Sequence, residues 1–111
     1  VRLIRRYGFE AAHQLDGLPE GHPCMRLHGH HYEFEVTVEG QIDHRGMVLE
    51  YGELDELIDK VLDRYDHRHL NDFLTQPTVE NIAADIFSML PVDTIESVRV
   101  WESERSSVVY P

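Results

Sequence analysis

Cys24-Met25-Arg26-Leu27-His28-Gly29-His30 runs straight into His31-Tyr32-Glu33-Phe34-Glu35-Val36-Thr37-Val38-Glu39, and the reading of this stretch decides the fold. From His28 onward the residues alternate without a break. His28, His30, Tyr32, Phe34, Val36 and Val38 take the even positions; Gly29, His31, Glu33, Glu35, Thr37 and Glu39 take the odd ones. A period of two is the signature of a half-buried β-strand. Residues i and i+2 project from one face, roughly 6.5–7 Å apart along the strand. The His28 and His30 imidazoles therefore point together toward the apolar side, where their Nε2 atoms can lean onto one metal ion. Cys24, the only cysteine, stands four residues upstream. A thiol near a metal or a cationic imidazole has a lowered pKa and becomes a usable base or nucleophile. Each residue alone has an ordinary reading: a satisfied core histidine, or a small buried hydrophobe for the cysteine. Together they require a third ligand and acid/base partners from elsewhere in the chain.

Residues 1–13 alternate in the same way. Val1, Leu3, Tyr7, Phe9, Ala11 and His13 share one parity, broken only by Arg5, with Arg2, Arg6 and Glu10 opposite. This predicts a strand with one apolar face, ending on His13. If the two strands are antiparallel neighbours, His13 faces the His28/His30 pair and supplies a third nitrogen. Three histidines with one open position is the arrangement of a catalytic zinc site, whereas structural zinc is closed by four protein ligands. Between the strands, Gly17, Pro19, Gly21 and Pro23 mark residues 14–27 as a loop that delivers Cys24.

Composition sets the frame. A chain of 111 residues with 41% hydrophobic content is one domain with a modest core, and a domain this small gains from oligomerisation. One cysteine excludes an intramolecular disulfide framework, so a reducing, cytoplasmic setting is expected. No stretch approaches the ~18 apolar residues of a membrane span, and no signal peptide is visible at the N-terminus as given. The net charge of −11 argues against a nucleic-acid footprint. It leaves room for a small anion gripped by arginines, which make up all but one of the ten basic residues.

Past Asp43-His44-Arg45-Gly46, read as a turn, Met47 to Tyr51 is a short apolar run expected to form a third strand. From about Gly52 the period changes. Leu54, Leu57, Ile58, Val61, Leu62 and Tyr65 form the stripe of an amphipathic helix, with Glu53, Asp55, Glu56, Asp59 and Asp63 read as solvated. Asp66-His67-Arg68-His69-Leu70-Asn71-Asp72 breaks the pattern. Pro77-Thr78 opens a second helix with Thr78 as N-cap and Glu80 in the first turn. Its stripe is Val79, Ile82, Ala83, Ile86, Phe87 and Leu90, and Pro91 stops it. Ser97 to Ser103 reads as a strand with Val98, Val100 and Glu102 on one face, making Glu102 a candidate buried carboxylate. Unpaired, such a group is costly; a ligand with two adjacent N–H donors satisfies it. Ser107 to Tyr110 is a last short strand. The expected architecture is α+β, an antiparallel sheet with two helices on one face.

Five segments carry a resemblance: Phe9-Glu10-Ala11-Ala12-His13, Cys24-x-x-x-His28-Gly29-His30, Asp66-His67-x-x-Leu70-Asn71, Pro77-Thr78-Val79-Glu80-Asn81, and Glu102 after the valine strand. Across nearly the whole chain, from about Phe9 to Tyr110, the sequence resembles the 6-pyruvoyl-tetrahydropterin synthase / 6-carboxy-tetrahydropterin synthase family of the T-fold (tunnelling fold). The resemblance implies zinc on His13, His28 and His30, with Cys24 as catalytic acid/base and Asp66-His67 completing a proton-transfer triad. It also implies Glu102 as anchor of the pterin ring, with Thr78 beside it in the substrate site. Arg26 is a candidate contact to the triphosphate, its alternative being a surface ion pair. Relatives assemble as homohexamers, two stacked trimers whose sheets close a barrel, with active sites between subunits. The three residues between Cys24 and His28 look like the bacterial 6-carboxy type; the pyruvoyl enzymes have a longer gap. The implied substrate is 7,8-dihydroneopterin triphosphate. Glu50-Tyr51 stands where relatives usually carry Asp-Phe, and Ser103 where threonine is usual. His31, His44 and His69 are read as surface or turn residues, and His22 as loop surface, its alternative being support of the neighbouring cysteine. Two rivals stand beside this reading. A cupin-type oxygenase would use Glu35, but in a strand Glu35 faces away from His28 and His30, and two helices leave too little chain for a jelly roll. A non-enzymatic pterin- or zinc-binding module would not require Cys24, Asp66 and His67 together.

Overall fold

The computed structural model describes all residues, Val1–Pro111, and its backbone is dominated by one long hairpin. Strand β1 (Arg2–His13) pairs antiparallel with β2 (His28–Glu39) along their full length, in a register that sets His13 opposite His28, Ala11 opposite His30 and Phe9 opposite Tyr32. Helix α1 (Tyr51–Tyr65) follows, then a two-residue strand β3 (Arg68–His69), helix α2 (Val79–Ser88), and strands β4 (Ile95–Ser103) and β5 (Ser106–Tyr110). The sheet order is β3-β1-β2-β4-β5. All pairings are antiparallel except β1 with β3, so the sheet is mixed rather than wholly antiparallel. This is the T-fold: five strands carrying two helices on one face.

The core is where the period-two and period-3.6 patterns meet. Phe9, Tyr32, Phe34, Val36, Val98 and Val100 from the sheet close on Leu54, Ile58, Val61 and Tyr65 of α1 and on Ile82, Ala83 and Ile86 of α2. Each of the larger aliphatic and phenylalanine side chains stabilises by roughly 1.5–3 kcal/mol relative to exposure. Helix α1 begins one residue before the expected position because Glu50 caps it, its carboxylate accepting the Glu53 N–H at 3.1 Å. Gly52 makes room for that fold-back, since a Cβ there would lie 2.8 Å from the Glu50 carboxylate.

Two expectations fail here. Met47 to Tyr51 forms no strand. Both flanks of β2 are already taken, by β1 and β4, so the run has no edge to join. The turn before it is closed locally: Asp43 donates its N–H to the Met47 carbonyl and takes the Arg45 and Met47 N–H groups on its carboxylate. Asp55 is not merely solvated. It takes a bidentate pair from Arg5 at 2.8 and 3.1 Å and the Tyr7 hydroxyl at 2.7 Å. That explains why Arg5 interrupts the apolar parity of β1: it reaches under α1 to this carboxylate and stacks 4.7 Å from the Tyr51 ring.

Candidate active site

The β1–β2 register gathers three imidazoles at one end of the helix-covered face. His13 is fully buried, and its Nε2 lies 3.0 Å from Nε2 of His28. The ligand nitrogens of His13, His28 and His30 all lie within 4.8 Å of one another. Nitrogens 2.0–2.1 Å from a tetrahedral zinc sit roughly 3.3 Å apart, so the spacing suits one ion.

The tautomers follow from the neighbours. His13 Nδ1–H donates to the Pro77 carbonyl at 2.7 Å, and His28 Nδ1–H donates to the Arg26 carbonyl at 2.7 Å. A carbonyl only accepts, so both protons sit on Nδ1 and both Nε2 atoms carry lone pairs aimed at each other. Two facing lone pairs repel unless a cation lies between them. His30 Nε2 is buried with no hydrogen-bond partner at all. Orphaned acceptors converging on one point are what a metal would satisfy, and backbone carbonyls on the far nitrogens are the usual outer support of such ligands. Burial pushes both His13 and His30 below the ordinary histidine range, which keeps them neutral and ligand-ready. Tyr32 closes the floor: its hydroxyl lies 3.2 and 3.3 Å from the two His13 nitrogens, and burial pushes its pKa up, with the Glu102 charge adding to the rise.

Glu102 arrives at this cluster from the end of β4, as its parity predicts. Oε1 is 3.6 Å from His30 Nε2 and Oε2 is 4.0 Å from His13 Nε2. The expected buried carboxylate is partly buried, its side chain keeping 32% exposure at the mouth of the cluster. Cys24 sits half-buried in a short 3-10 turn, Pro23–Met25, where its carbonyl accepts the Leu15 N–H at 2.8 Å. The segment Gln14–Asp16 is itself pinned: Asn71 brackets Gln14 and Gln76 brackets Asp16, each amide side chain both donating to and accepting from the backbone. His22 is more than loop surface. Its Nδ1 accepts the Cys24 N–H at 3.1 Å and so caps the turn that carries the thiol. Thr78 is the N-cap of α2, its hydroxyl oxygen accepting the Asn81 N–H at 3.2 Å; the hydroxyl proton stays free.

Asp66 and His67 stand apart from the cluster. They follow α1 and clamp the outer edge of β1: Asp66 Oδ1 accepts the Glu10 N–H at 3.0 Å, and His67 N–H donates to the Glu10 carbonyl at 2.6 Å. His67 Nδ1 lies 3.0 Å from Asp66 Oδ1, and the Asp66 carboxyl is held below its usual range, first by the Glu10 N–H and then by His67. His67 adopts a left-handed conformation, φ 58°, which costs a non-glycine residue roughly 1–2 kcal/mol. Its imidazole lines an open cavity of about 560 Å³ at the sheet edge, together with Glu10, Gly29 and His31 and with Ala11 and His30. His31, expected at the surface, is exposed there and hydrogen-bonds Glu10. Of the sequence-predicted residues, one chain thus unites His13, His28, His30 and Glu102, and it holds Asp66-His67 at the outer edge of β1. Tyr32, Asn71, Gln76 and the Pro77 carbonyl were not assigned positioning roles from sequence. For Tyr32 the signal was legible, in its parity with the two histidines.

Comparison with known proteins agrees with this architecture. The family model of 6-pyruvoyl tetrahydropterin synthase matches residues 2–111. A putative 6-carboxy-5,6,7,8-tetrahydropterin synthase of Archaeoglobus fulgidus is 36% identical over 86% of this chain and 83% of its own. A dihydroneopterin monophosphate aldolase of Pyrococcus furiosus is 37% identical over 97% of this chain and 95% of its own. The structure of the Caenorhabditis elegans 6-pyruvoyl tetrahydropterin synthase superposes with a TM-score of 0.90 at 28% identity, covering 99% of this chain and 94% of that one.

Proposed function

The chain belongs to the 6-pyruvoyl tetrahydropterin synthase family, and from that premise we propose that it is a zinc-dependent lyase acting on 7,8-dihydroneopterin triphosphate. Its products in this reading are 6-carboxy-5,6,7,8-tetrahydropterin, acetaldehyde and triphosphate, a step toward 7-deazaguanine compounds such as queuosine. The observation that carries it is the convergence of one ring nitrogen from each of three histidines, with a carboxylate beside them. His13, His28 and His30 would hold the ion and leave one position open. Zinc bound there supplies Lewis-acid polarisation of a substrate oxygen.

The remaining steps belong to the chain's own groups. Glu102 accepts two hydrogen bonds from the amino-pyrimidine edge and fixes the ring. The free hydroxyl proton of Thr78 donates to the same ring, and Arg26 contacts the triphosphate. Cys24 and His67 move protons between the ring carbons and the side chain, with Asp66 orienting His67. Asp66-His67 sits at the outer edge of β1 with the His67 side chain exposed, and in this reading its partner in the reaction is the cluster of another subunit. A homohexamer of two trimeric rings, with sites between subunits, meets that need.

A second reading has an observation of its own. The Pyrococcus relative is matched nearly end to end and is named an aldolase, which favours a retro-aldol split of the phosphorylated side chain at the same centre. Pyruvoyl-type activity is the third. One experiment separates them: zinc-loaded protein is incubated with dihydroneopterin triphosphate and, separately, with the monophosphate, and products are identified by mass. A 6-carboxy pterin with acetaldehyde supports the proposal. A 6-pyruvoyl pterin, or a hydroxymethyl pterin from the monophosphate, overturns it in favour of the respective alternative.

A further inference from the structure

We propose that in the ring-free protein the Glu102 carboxylate takes the fourth position on the metal, and that a pterin ring must draw it away in order to bind. This rests on the reading of the three histidines as a metal centre and of Glu102 as the ring anchor.

The geometry carries it. One carboxylate straddles two of the three ligand nitrogens, Oε1 at 3.6 Å from His30 and Oε2 at 4.0 Å from His13. Those distances are too long for hydrogen bonds. They are within several tenths of an ångström of the roughly 3.3 Å that separates two ligands of one tetrahedral zinc. His30 Nε2 is buried and unpartnered although the carboxylate is its neighbour, so the pair is arranged around something rather than bonded to each other. No arginine or lysine lies within ion-pair distance of Glu102; histidines are its only such neighbours. A carboxylate partly withdrawn from water in a chain of net charge −11 lacks a countercharge, and the metal would provide one.

Glu102 then has two competing partners. Gripping the adjacent N–H and NH₂ of an amino-pyrimidine engages both oxygens, which removes it from the metal. The two binding events oppose each other, and linkage makes the opposition reciprocal: the ring lowers zinc affinity by the factor by which zinc lowers ring affinity. A substrate whose side chain reaches the vacated position escapes that opposition; a bare ring does not. The device reserves the open metal position for molecules that carry both the ring and the oxygen-bearing side chain.

The test uses the full-length protein and plain pterin, which has no C6 side chain. Zinc affinity is measured by competition with a chromophoric chelator for wild type and Glu102→Gln, without and with pterin. The visible spectrum of the cobalt(II)-substituted proteins is recorded in parallel. We expect Glu102→Gln to bind zinc at least ~10-fold more weakly, about 1.4 kcal/mol, and to change the cobalt spectrum. Pterin should weaken zinc binding to wild type, change its cobalt spectrum in the same direction, and leave the variant unaffected. Equal zinc affinities overturn the proposal. So does a weaker affinity with an identical cobalt spectrum, which would mean the carboxylate acts only through space. The wild-type cobalt arm needs no mutation and stands if the variant folds poorly. If plain pterin fails to bind wild type, the ring-anchor reading falls, while the zinc and cobalt comparison still decides whether Glu102 is a ligand.

Discussion

The two ends of the proposed chemistry are built in opposite ways. The histidine cluster is made by regular structure: two long strands in fixed register, Nδ1 atoms held by the carbonyls of Pro77 and Arg26, and a buried Tyr32 beneath. The Asp66-His67 pair is made by a chain break after α1, with a left-handed histidine whose side chain is 78% exposed. One is finished within a single chain; the other is presented outward. Rigid packing suits a site that must hold an ion, and strain at an exposed turn is where function tends to accumulate. The contrast is the basis for the proposal that Asp66-His67 acts on the histidine cluster of a neighbouring subunit.

Removing a ligand should break the finished half most severely. His28→Ala leaves two imidazoles at an open position, and zinc affinity should fall by more than the ~10–100-fold carried by outer-shell partners. Metal analysis after dialysis reads this directly, and full zinc content in the variant would mean the strand does not ligate. The outward half should respond differently. His67→Gly removes the imidazole and relieves the positive φ, so turnover should be lost while zinc stays bound and stability rises by about 1 kcal/mol. Denaturant melts and metal content check this; a stability loss would show the imidazole to be a structural prop instead.

Acid should tell the halves apart as well. In zinc-free protein, burial holds the His13 and His30 pKa values below those of the unfolded chain. Between the folded and unfolded values the unfolded chain binds more protons, so stability is complete above about pH 6.5 and declines as pH falls below it. Urea midpoints of the chelated protein between pH 7.5 and 5 should show that slope, and His13→Gln should flatten it. A profile unchanged by the substitution would place the titration elsewhere. The smallest effect belongs to Thr78. Thr78→Ala should cost about 1 kcal/mol from the lost cap, with Thr78→Ser retaining most of it; identical melting of all three proteins would remove the cap from the account.

How much of this was legible in the chain depended on whether a pattern repeats. Twelve residues of alternation specify β1 and β2, and the i, i+3, i+4 stripes specify both helices, because each repeat adds evidence for the same face. The three histidines were legible for that reason, lying on parities already fixed by Phe9, Tyr32 and Phe34. Residues 47–51 misled because an apolar run names a buried segment and not its partner; β4, which arrives some fifty residues later, takes the flank of β2. Arg68–His69 is too short for any period, and its pairing with Ala11 and Ala12 comes from the turn at His67. Asp55 was misread because its partners, Arg5 and Tyr7, lie about fifty residues upstream. Which half-site faces which across subunits is a property of the assembly, and the resemblance alone suggested it.

The proposed division of the site between chains is tested most directly by mixing two inactive proteins. Cys24→Ala removes the thiol proposed as acid/base, and His67→Ala removes the exposed imidazole. The two variants are unfolded together, refolded as a one-to-one mixture with zinc, and assayed with dihydroneopterin triphosphate. If each site draws Cys24 from one subunit and His67 from another, random assembly restores both groups at roughly a quarter of sites. Activity near that fraction of wild type is the predicted result. A mixture as inactive as either variant alone would contradict the account, because it would mean that both residues must come from the same chain.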